Sequence, residues 1–188
     1  MPVVHWIPVK AVFLDRDGVI VENRPAYIKS WDDVEFLPGS LDALRRLAAS
    51  PYAVVIVTNQ SAVGRGIVSL EQAESIHRRI VAEIVRQGGR IDASYLCPHS
   101  PLDGCSCRKP APGLLLQAAK DLGLDLPHSY LVGDALSDLQ AAQAAGVRGF
   151  LVLTGRGAAQ AALGGLSPET GNSVVADLSE AVARILLH

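Results

Sequence analysis

Two aspartates, Asp15 and Asp17, stand two residues apart directly after the apolar run Ala11-Val-Phe-Leu14. If the chain leaves the extended conformation after Asp15, both carboxylates can approach one phosphoryl group, and the pair permits a division of labour. An ionised Asp15 can attack phosphorus and form an aspartyl-phosphate, splitting one difficult hydrolysis into two displacements. Asp17, beside that negative charge, can hold the proton that the leaving oxygen needs and then activate the water that regenerates Asp15. Two carboxylates and a phosphate dianion repel one another, so this chemistry demands cations. Asp134, which follows Tyr130-Leu-Val-Gly133, is a further oxygen donor suited to Mg2+, a hard ion that takes one or two carboxylates, substrate oxygens and waters. Lys109, in Cys107-Arg-Lys-Pro110, can neutralise the transferring group, and Thr58 and Asn59 can donate hydrogen bonds to its oxygens. Asp138, about one helical turn beyond Asp134, can orient a metal-bound water or Lys109. A single Asp or Thr at a strand end is also explained by capping of a loop or helix. Three such residues with these neighbours point to a site.

A second constellation lies just upstream of Lys109. Cys97-Pro-His99 and Cys105-Ser-Cys107 place three thiols and one imidazole in one short loop, a ligand set that suits tetrahedral Zn2+ although the spacing is not that of a standard zinc finger. The alternative is three buried or free thiols, and a Cys105–Cys107 disulfide is disfavoured by strain. Four protein ligands fill a zinc ion completely, so the site would be structural, stiffening the loop that delivers Arg108 and Lys109.

These residues must be positioned by elements, and the sequence supplies them. Ala11-Val-Phe-Leu14, Ala53-Val-Val-Ile-Val57 and Tyr130-Leu-Val132 are short runs of the kind buried on both faces of a parallel sheet. Weaker strand candidates are 94–96, 149–153 and 173–176. Between them, Leu41, Leu44, Leu47 and Ala48 share a helical face, as do Ile76, Ile80 and Ile84, the latter helix having Ser69 and Gln72 at capping-box spacing. Residues 114–122 and 136–145 make two more helices, followed by Gly123 and Gly146 where a C-terminal glycine is expected. Residues 178–187 suggest a final helix after an irregular Gly/Ala/Ser-rich stretch, 155–172. Alternation of this kind predicts an α/β domain, doubly wound on a mainly parallel sheet. In such sheets ligands bind beyond the carboxyl ends of the strands, where Asp15, Thr58 and Asp134 converge. The two long irregular stretches, 19–37 and 97–111, flank that edge.

The 188 residues are 49% hydrophobic and 19% charged, which suits one domain spanning 1–188 with a real core and no separate cap. A formal charge of -2 offers no general attraction for nucleic acid or anionic lipid, so an anion would be bound by a local pocket. With no signal-peptide pattern and no membrane-length apolar run, the expectation is a soluble cytoplasmic protein with reduced cysteines, monomeric by default. His5, His77, His128 and His188 have no evident partners and read as surface or structural.

Asp15-Arg-Asp-Gly18, Val57-Thr-Asn-Gln60, Arg108-Lys-Pro110 and Gly133-Asp-Ala-Leu-Ser-Asp138 resemble, in order, the four motifs of the haloacid dehalogenase superfamily of phosphatases. The resemblance spans residues 10–157 and implies a Rossmann-like fold. It makes Asp15 nucleophile and magnesium ligand, and Asp17 the general acid/base with its backbone carbonyl on the metal. It gives Thr58 and Lys109 the phosphoryl group to stabilise and Asp134 the metal site to complete. The cysteine loop narrows the likeness to the family of D-glycero-D-manno-heptose 1,7-bisphosphate 7-phosphatases, with histidinol-phosphate phosphatases as near relatives. That family implies a sugar phosphate substrate on the way to nucleotide-activated heptose for surface polysaccharide. It also implies recognition by Arg108, by Glu22, Asn23 and Arg24 in the segment 22–26, and by Asn59, Gln60 and Ser61. At Ala135 the chain departs from the lysine these enzymes carry after Gly-Asp, which leaves the exact substrate open. Two readings stay beside this one: a phosphatase for histidinol phosphate or another small ester, and a non-catalytic domain resembling phospho-receivers, which need no counterpart of Asp17.

Overall fold

The computed structural model describes residues 8–164 and 171–187. Its strands are β1 (Ala11–Leu14), β2 (Ala53–Asn59), β3 (Ala93–Cys97), β4 (Tyr130–Gly133), β5 (Arg148–Val152) and β6 (Ser173–Val175). They form one parallel sheet in the order β3-β2-β1-β4-β5-β6. The order reverses between β1 and β4, so the carboxyl ends of these two strands open the crevice in which ligands of doubly wound sheets bind. Asp15 and Asp134 are the residues that follow those ends.

The helices are α1 (Ser40–Ala48), α2 (Ser61–Gly64), α3 (Leu70–Arg86), α4 (Gly113–Leu122), α5 (Leu136–Ala145), α6 (Gly157–Ala162) and α7 (Leu178–Ile185). Because side chains alternate along a strand, β1 feeds two cores. Val12 and Leu14 pack with Leu44 and Leu47 of α1, Ile80 and Ile84 of α3, and Val182 and Ile185 of α7. Ala11 and Phe13 pack on the other face with Leu114, Leu115 and Ala118 of α4 and Ala141 and Ala142 of α5. Burial on both sides explains why β1 and β4 read as uninterrupted apolar runs.

Several expectations shift by a residue or two, and three differ in kind. β2 runs through Thr58 and Asn59, so these belong to the strand itself. The capping box at α3 is half formed: the Ser69 hydroxyl accepts from the Gln72 N–H at 3.0 Å, but the Gln72 amide donates to the Lys29 carbonyl at 2.6 Å and thereby ties the segment after β1 to α3. The stretch 155–172 contains α6, where Ala158, Ala159, Ala161 and Ala162 supply high helix propensity; residues 165–170 lie outside the described residues. His77 is buried in α3, its pKa lowered to about 4 chiefly by burial and then by the Arg16 charge. His128 has a surface partner that the sequence reading missed, Asp125 at 2.9 Å; His5 and His188 fall outside the described residues. Among the described residues no insertion forms a large cap, and no helix is long and apolar enough to cross a membrane.

Helix α7 closes the first core although its sequence lies beyond all the motifs. Ile185→Ala should therefore destabilise the protein by about 2–5 kcal/mol in urea unfolding, the range for emptying a packed core position. A loss below 0.5 kcal/mol would mean that the helix is an ornament.

Candidate active site

Lys109 is the buried centre of the site. Its ammonium lies 3.1 Å from Asp15 Oδ2 and 2.6 Å from Asp138 Oδ1, and it donates to the Val57 carbonyl at 2.8 Å. The three acceptors come from the ends of β1 and β2 and from α5, so the amine's three donors are matched to fixed positions. Its backbone is clamped as well: Asn59 accepts from the Lys109 N–H at 3.1 Å and donates to the Lys109 carbonyl at 3.0 Å. Asn59 was expected to bind substrate; both ends of its amide are spent on Lys109, although the residue still borders the cavity. Asp138 takes the lysine-orienting half of its expected role, and its second oxygen accepts from the Ala135 N–H at 3.0 Å.

Asp15 is held by a backbone bond to Val132 of β4 and is almost wholly buried. Burial pushes its pKa up to about 7, the Lys109 charge opposing the rise and Asp138, Asp134 and Asp17 adding to it. Lys109 stays above its ordinary value: burial works against its charge, but the carboxylates of Asp138 and Asp15 outweigh it. Asp134 is fully buried and accepts from the Arg156 backbone N–H at 2.9 Å and from the Arg156 guanidinium at 2.9 Å. Two glycines make this approach possible. Gly18 and Gly155 both have positive φ, and a Cβ on either would fall within 2.5 Å of the Asp134 carboxylate. Thr154 fixes that junction by donating to the Gly18 carbonyl at 2.6 Å.

Asp17 is turned away from this cluster. Arg16, itself 1% exposed, grips it with two bonds of 2.8 and 2.9 Å, and Gln60 donates to it at 2.9 Å. Gln60 also donates to the Thr58 hydroxyl at 3.0 Å and accepts from Arg16 at 2.8 Å, closing a network under the pocket. The side chains able to share a cation here are those of Asp15, Asp134 and Asp138, without that of Asp17. All three are hard oxygen donors of the kind that fits Mg2+, and each pairs with a cation, Asp15 and Asp138 with Lys109 and Asp134 with Arg156. Charge points the same way. The three clustered carboxylates, Asp15, Asp134 and Asp138, are paired with two cations, Lys109 and Arg156. A phosphate dianion brought to this surplus needs a further positive ion.

Asp15, Asp17, Asn23, Arg24, Asn59, Gln60, Ser61, Arg108 and Lys109, all expected from sequence, line one cavity of ≈ 130 Å³. Glu22 does not line it; its backbone N–H bonds to the Glu35 carbonyl at 2.8 Å, which holds it in a paired segment. Thr58 is buried beneath Gln60. Sequence reasoning missed Tyr27, Ile28, Ser137 and Arg156, which complete the wall, and Arg16 below it. A basic residue between glycines at Gly155-Arg-Gly157 was a signal for Arg156, but only the pairing of β4 with β5 sets it beside Asp134.

The cysteine loop closes as expected. Cys97, His99, Cys105 and Cys107 converge, with Cys107 Sγ 3.2 Å from Cys97 Sγ, 3.3 Å from Cys105 Sγ and 3.3 Å from His99 Nδ1. None of the three thiols is in a disulfide. The sulfurs lie somewhat closer together than the edges, about 3.8 Å, of a tetrahedron of thiolates around Zn2+, so the four side chains need move apart only slightly to take one ion. Arg108 donates back to the His99 carbonyl at 3.2 Å, joining this loop to the pocket.

Comparison with known proteins gives the class first. A family model described as HAD-hyrolase-like matches residues 106–181. The D-glycero-beta-D-manno-heptose-1,7-bisphosphate 7-phosphatase of Bordetella bronchiseptica is 45% identical over 95% of this chain and 98% of its own length. That of Pseudomonas aeruginosa is 42% identical over 94% and 97%. The crystal structure of the B. bronchiseptica D,D-heptose 1,7-bisphosphate phosphatase, complexed with magnesium and phosphate, superposes with a TM-score of 0.90 at 41% identity, covering 95% of this chain and 99% of that one. The chain belongs to the family of D-glycero-beta-D-manno-heptose-1,7-bisphosphate 7-phosphatases within the haloacid dehalogenase superfamily.

Replacing Lys109 by Met keeps the bulk of the side chain and removes its charge, leaving Asp15 and Asp138 buried and facing one another. Lys109→Met should cost about 3–5 kcal/mol in urea unfolding, the penalty for breaking a buried ion pair from one side. A loss near zero would show that Lys109 is no electrostatic keystone.

Proposed function

We propose that this phosphatase hydrolyses the 7-phosphate of D-glycero-D-manno-heptose 1,7-bisphosphate, with Asp15 as nucleophile. The observation that carries the reading is Lys109 set 3.1 Å from Asp15 at the sheet's switch point, in a chain that aligns end to end with relatives of that name. Asp15 attacks phosphorus as the bond to the sugar oxygen breaks, and that oxygen takes a proton from Asp17. Asp17 then removes a proton from water, the water attacks the aspartyl-phosphate, and orthophosphate leaves with Asp15 restored. To reach the leaving oxygen the Asp17 carboxylate must turn out of the two bonds by which Arg16 holds it. Lys109 offsets charge on the transferring group, and Asp138 and Asn59 hold Lys109 in place. Asp15, Asp134 and the Asp17 carbonyl would hold Mg2+, which when bound would supply the positive charge that the carboxylates and the phosphoryl group lack. Arg108 borders the cavity as a cation suited to the second phosphate, while Arg24 and Arg156, which border it too, are paired with Glu35 and Asp134. Three thiols outside any disulfide go with a cytoplasmic setting and with Zn2+ on the cysteine loop. In the monomeric form we infer, all of these groups come from one chain.

The test is phosphate release with Mg2+ from both anomers of the bisphosphate, beside histidinol phosphate and a simple aryl phosphate. The bisphosphate should be preferred, chelation of Mg2+ should abolish turnover, and Asp15→Asn should lose about 10⁴-fold or more in kcat. Preference for another ester would move the substrate, while full activity in Asp15→Asn would end the mechanism.

For the second metal, elemental analysis of purified protein should find about one equivalent of zinc, absent from Cys107→Ser, with a lowered Tm in the variant. Zinc-free protein of normal Tm and activity would remove the ion from the reading.

A further inference from the structure

Tyr27 is the only non-glycine with a positive φ, 64°, among the described residues. A bulky side chain in the left-handed region is strained, and such strain persists only where the surroundings over-determine the backbone. They do so on both sides of it. Upstream, the Tyr27 N–H closes a turn onto the Arg24 carbonyl at 3.0 Å. Arg24 is in turn fastened to the Asp33 carbonyl at 3.0 Å and to Glu35 at 2.9 Å. Downstream, the N–H groups of Lys29 and Ser30 both donate to Asp33 at 2.9 Å, and the Lys29 carbonyl is held by Gln72. Glycine or asparagine would take this backbone without strain, yet the position carries an aromatic ring. The ring packs against the small cluster of Ala62, Val68 and Ala73 and borders the cavity beside Ile28.

The rest of the cavity wall is polar or charged, so Tyr27 and Ile28 form its one apolar strip. At ≈ 130 Å³ the cavity is well below the roughly 300–1,000 Å³ that enclose a whole small-molecule ligand. It can enclose the reacting phosphoryl end, and the carbon skeleton must lie along the rim. A sugar there presents hydroxyls to the polar wall and C–H groups to an apolar one. We propose that Tyr27 is a specificity-determining residue, its ring being the surface on which the carbon skeleton of the sugar phosphate packs. The inference rests on the sugar phosphate reading above and adds the residue that selects for it.

The experiment compares Tyr27→Asn and Tyr27→Gly, which suit the same backbone, with Tyr27→Phe, which keeps the ring, on the heptose bisphosphate and on acetyl phosphate. The latter has a phosphoryl group and almost no skeleton. For Asn and Gly, KM for the bisphosphate should rise and the ratio of kcat/KM between the two substrates fall about tenfold or more, the scale of one lost apolar contact. Tyr27→Phe should retain the wild-type ratio. An unchanged ratio in the Asn and Gly variants, whether both substrates suffer alike or neither does, would overturn the assignment and leave the substrate reading standing. Wild-type turnover of acetyl phosphate with none of the sugar would instead sink the substrate reading, and this inference with it.

Discussion

The site depends on one buried ammonium. An amine without access to water is tolerated only if opposite charges and hydrogen-bond acceptors meet it inside the protein, and Lys109 has three, each from a different part of the sheet edge. The constraint works in both directions. The lysine is held protonated by the carboxylates, and the carboxylates are held in place by the lysine. Because those partners follow β1, belong to β2 and sit in the first turn of α5, a single ion-pair network ties together the three elements that meet at the switch point.

The surrounding shell serves that network. Asn59 clamps the Lys109 backbone, and the side chains of the cysteine loop converge just before it. Gly18 and Gly155 let two loops close on Asp134 where any side chain would collide. The result is a rigid acidic floor with more negative than positive charge, which suits a divalent cation and a phosphoryl group together. Above it the wall is built from the segment after β1 and from residues near Arg108 and Arg156. The clustered carboxylates and Lys109 thus sit on or beside the ends of packed strands, while loops form the rest of the cavity wall.

The acid/base partner stands outside the floor. Arg16, Gln60 and Thr58 form a hydrogen-bonded chain that ends on Asp17. Two aspartates separated by one residue just beyond a strand therefore occupy different electrostatic surroundings: Asp15 lies among carboxylates with Lys109 against it, whereas Asp17 is paired with an arginine. Separation of this sort is what assigns different tasks to chemically identical groups.

Much of this was legible in the sequence because the relevant forces are local or periodic. Uninterrupted apolar runs require strands buried on both sides, and a polar residue at the end of such a run must emerge at the sheet's carboxyl edge, so Asp15 and Asp134 were legible from position alone. The convergence of Cys97, His99, Cys105 and Cys107 just before Lys109 was legible from residue type and spacing. Pairing across the fold was not. Asn59 and Gln60 read as substrate contacts because an amide's partners cannot be known until Lys109 and Asp17 are brought beside them. Arg16 is flanked by two aspartates, and only the packed interior beneath β1 decides that its guanidinium turns to Asp17. Arg156 and Tyr27 reach the pocket because β5 lies beside β4 and because Arg24, Asp33 and Gln72 bend the intervening chain. Sequence by itself determined which groups were available and along which edge they would lie; tertiary structure decided which of them touch, since a buried charge or amide takes its partner from whatever the fold places within about 3 Å.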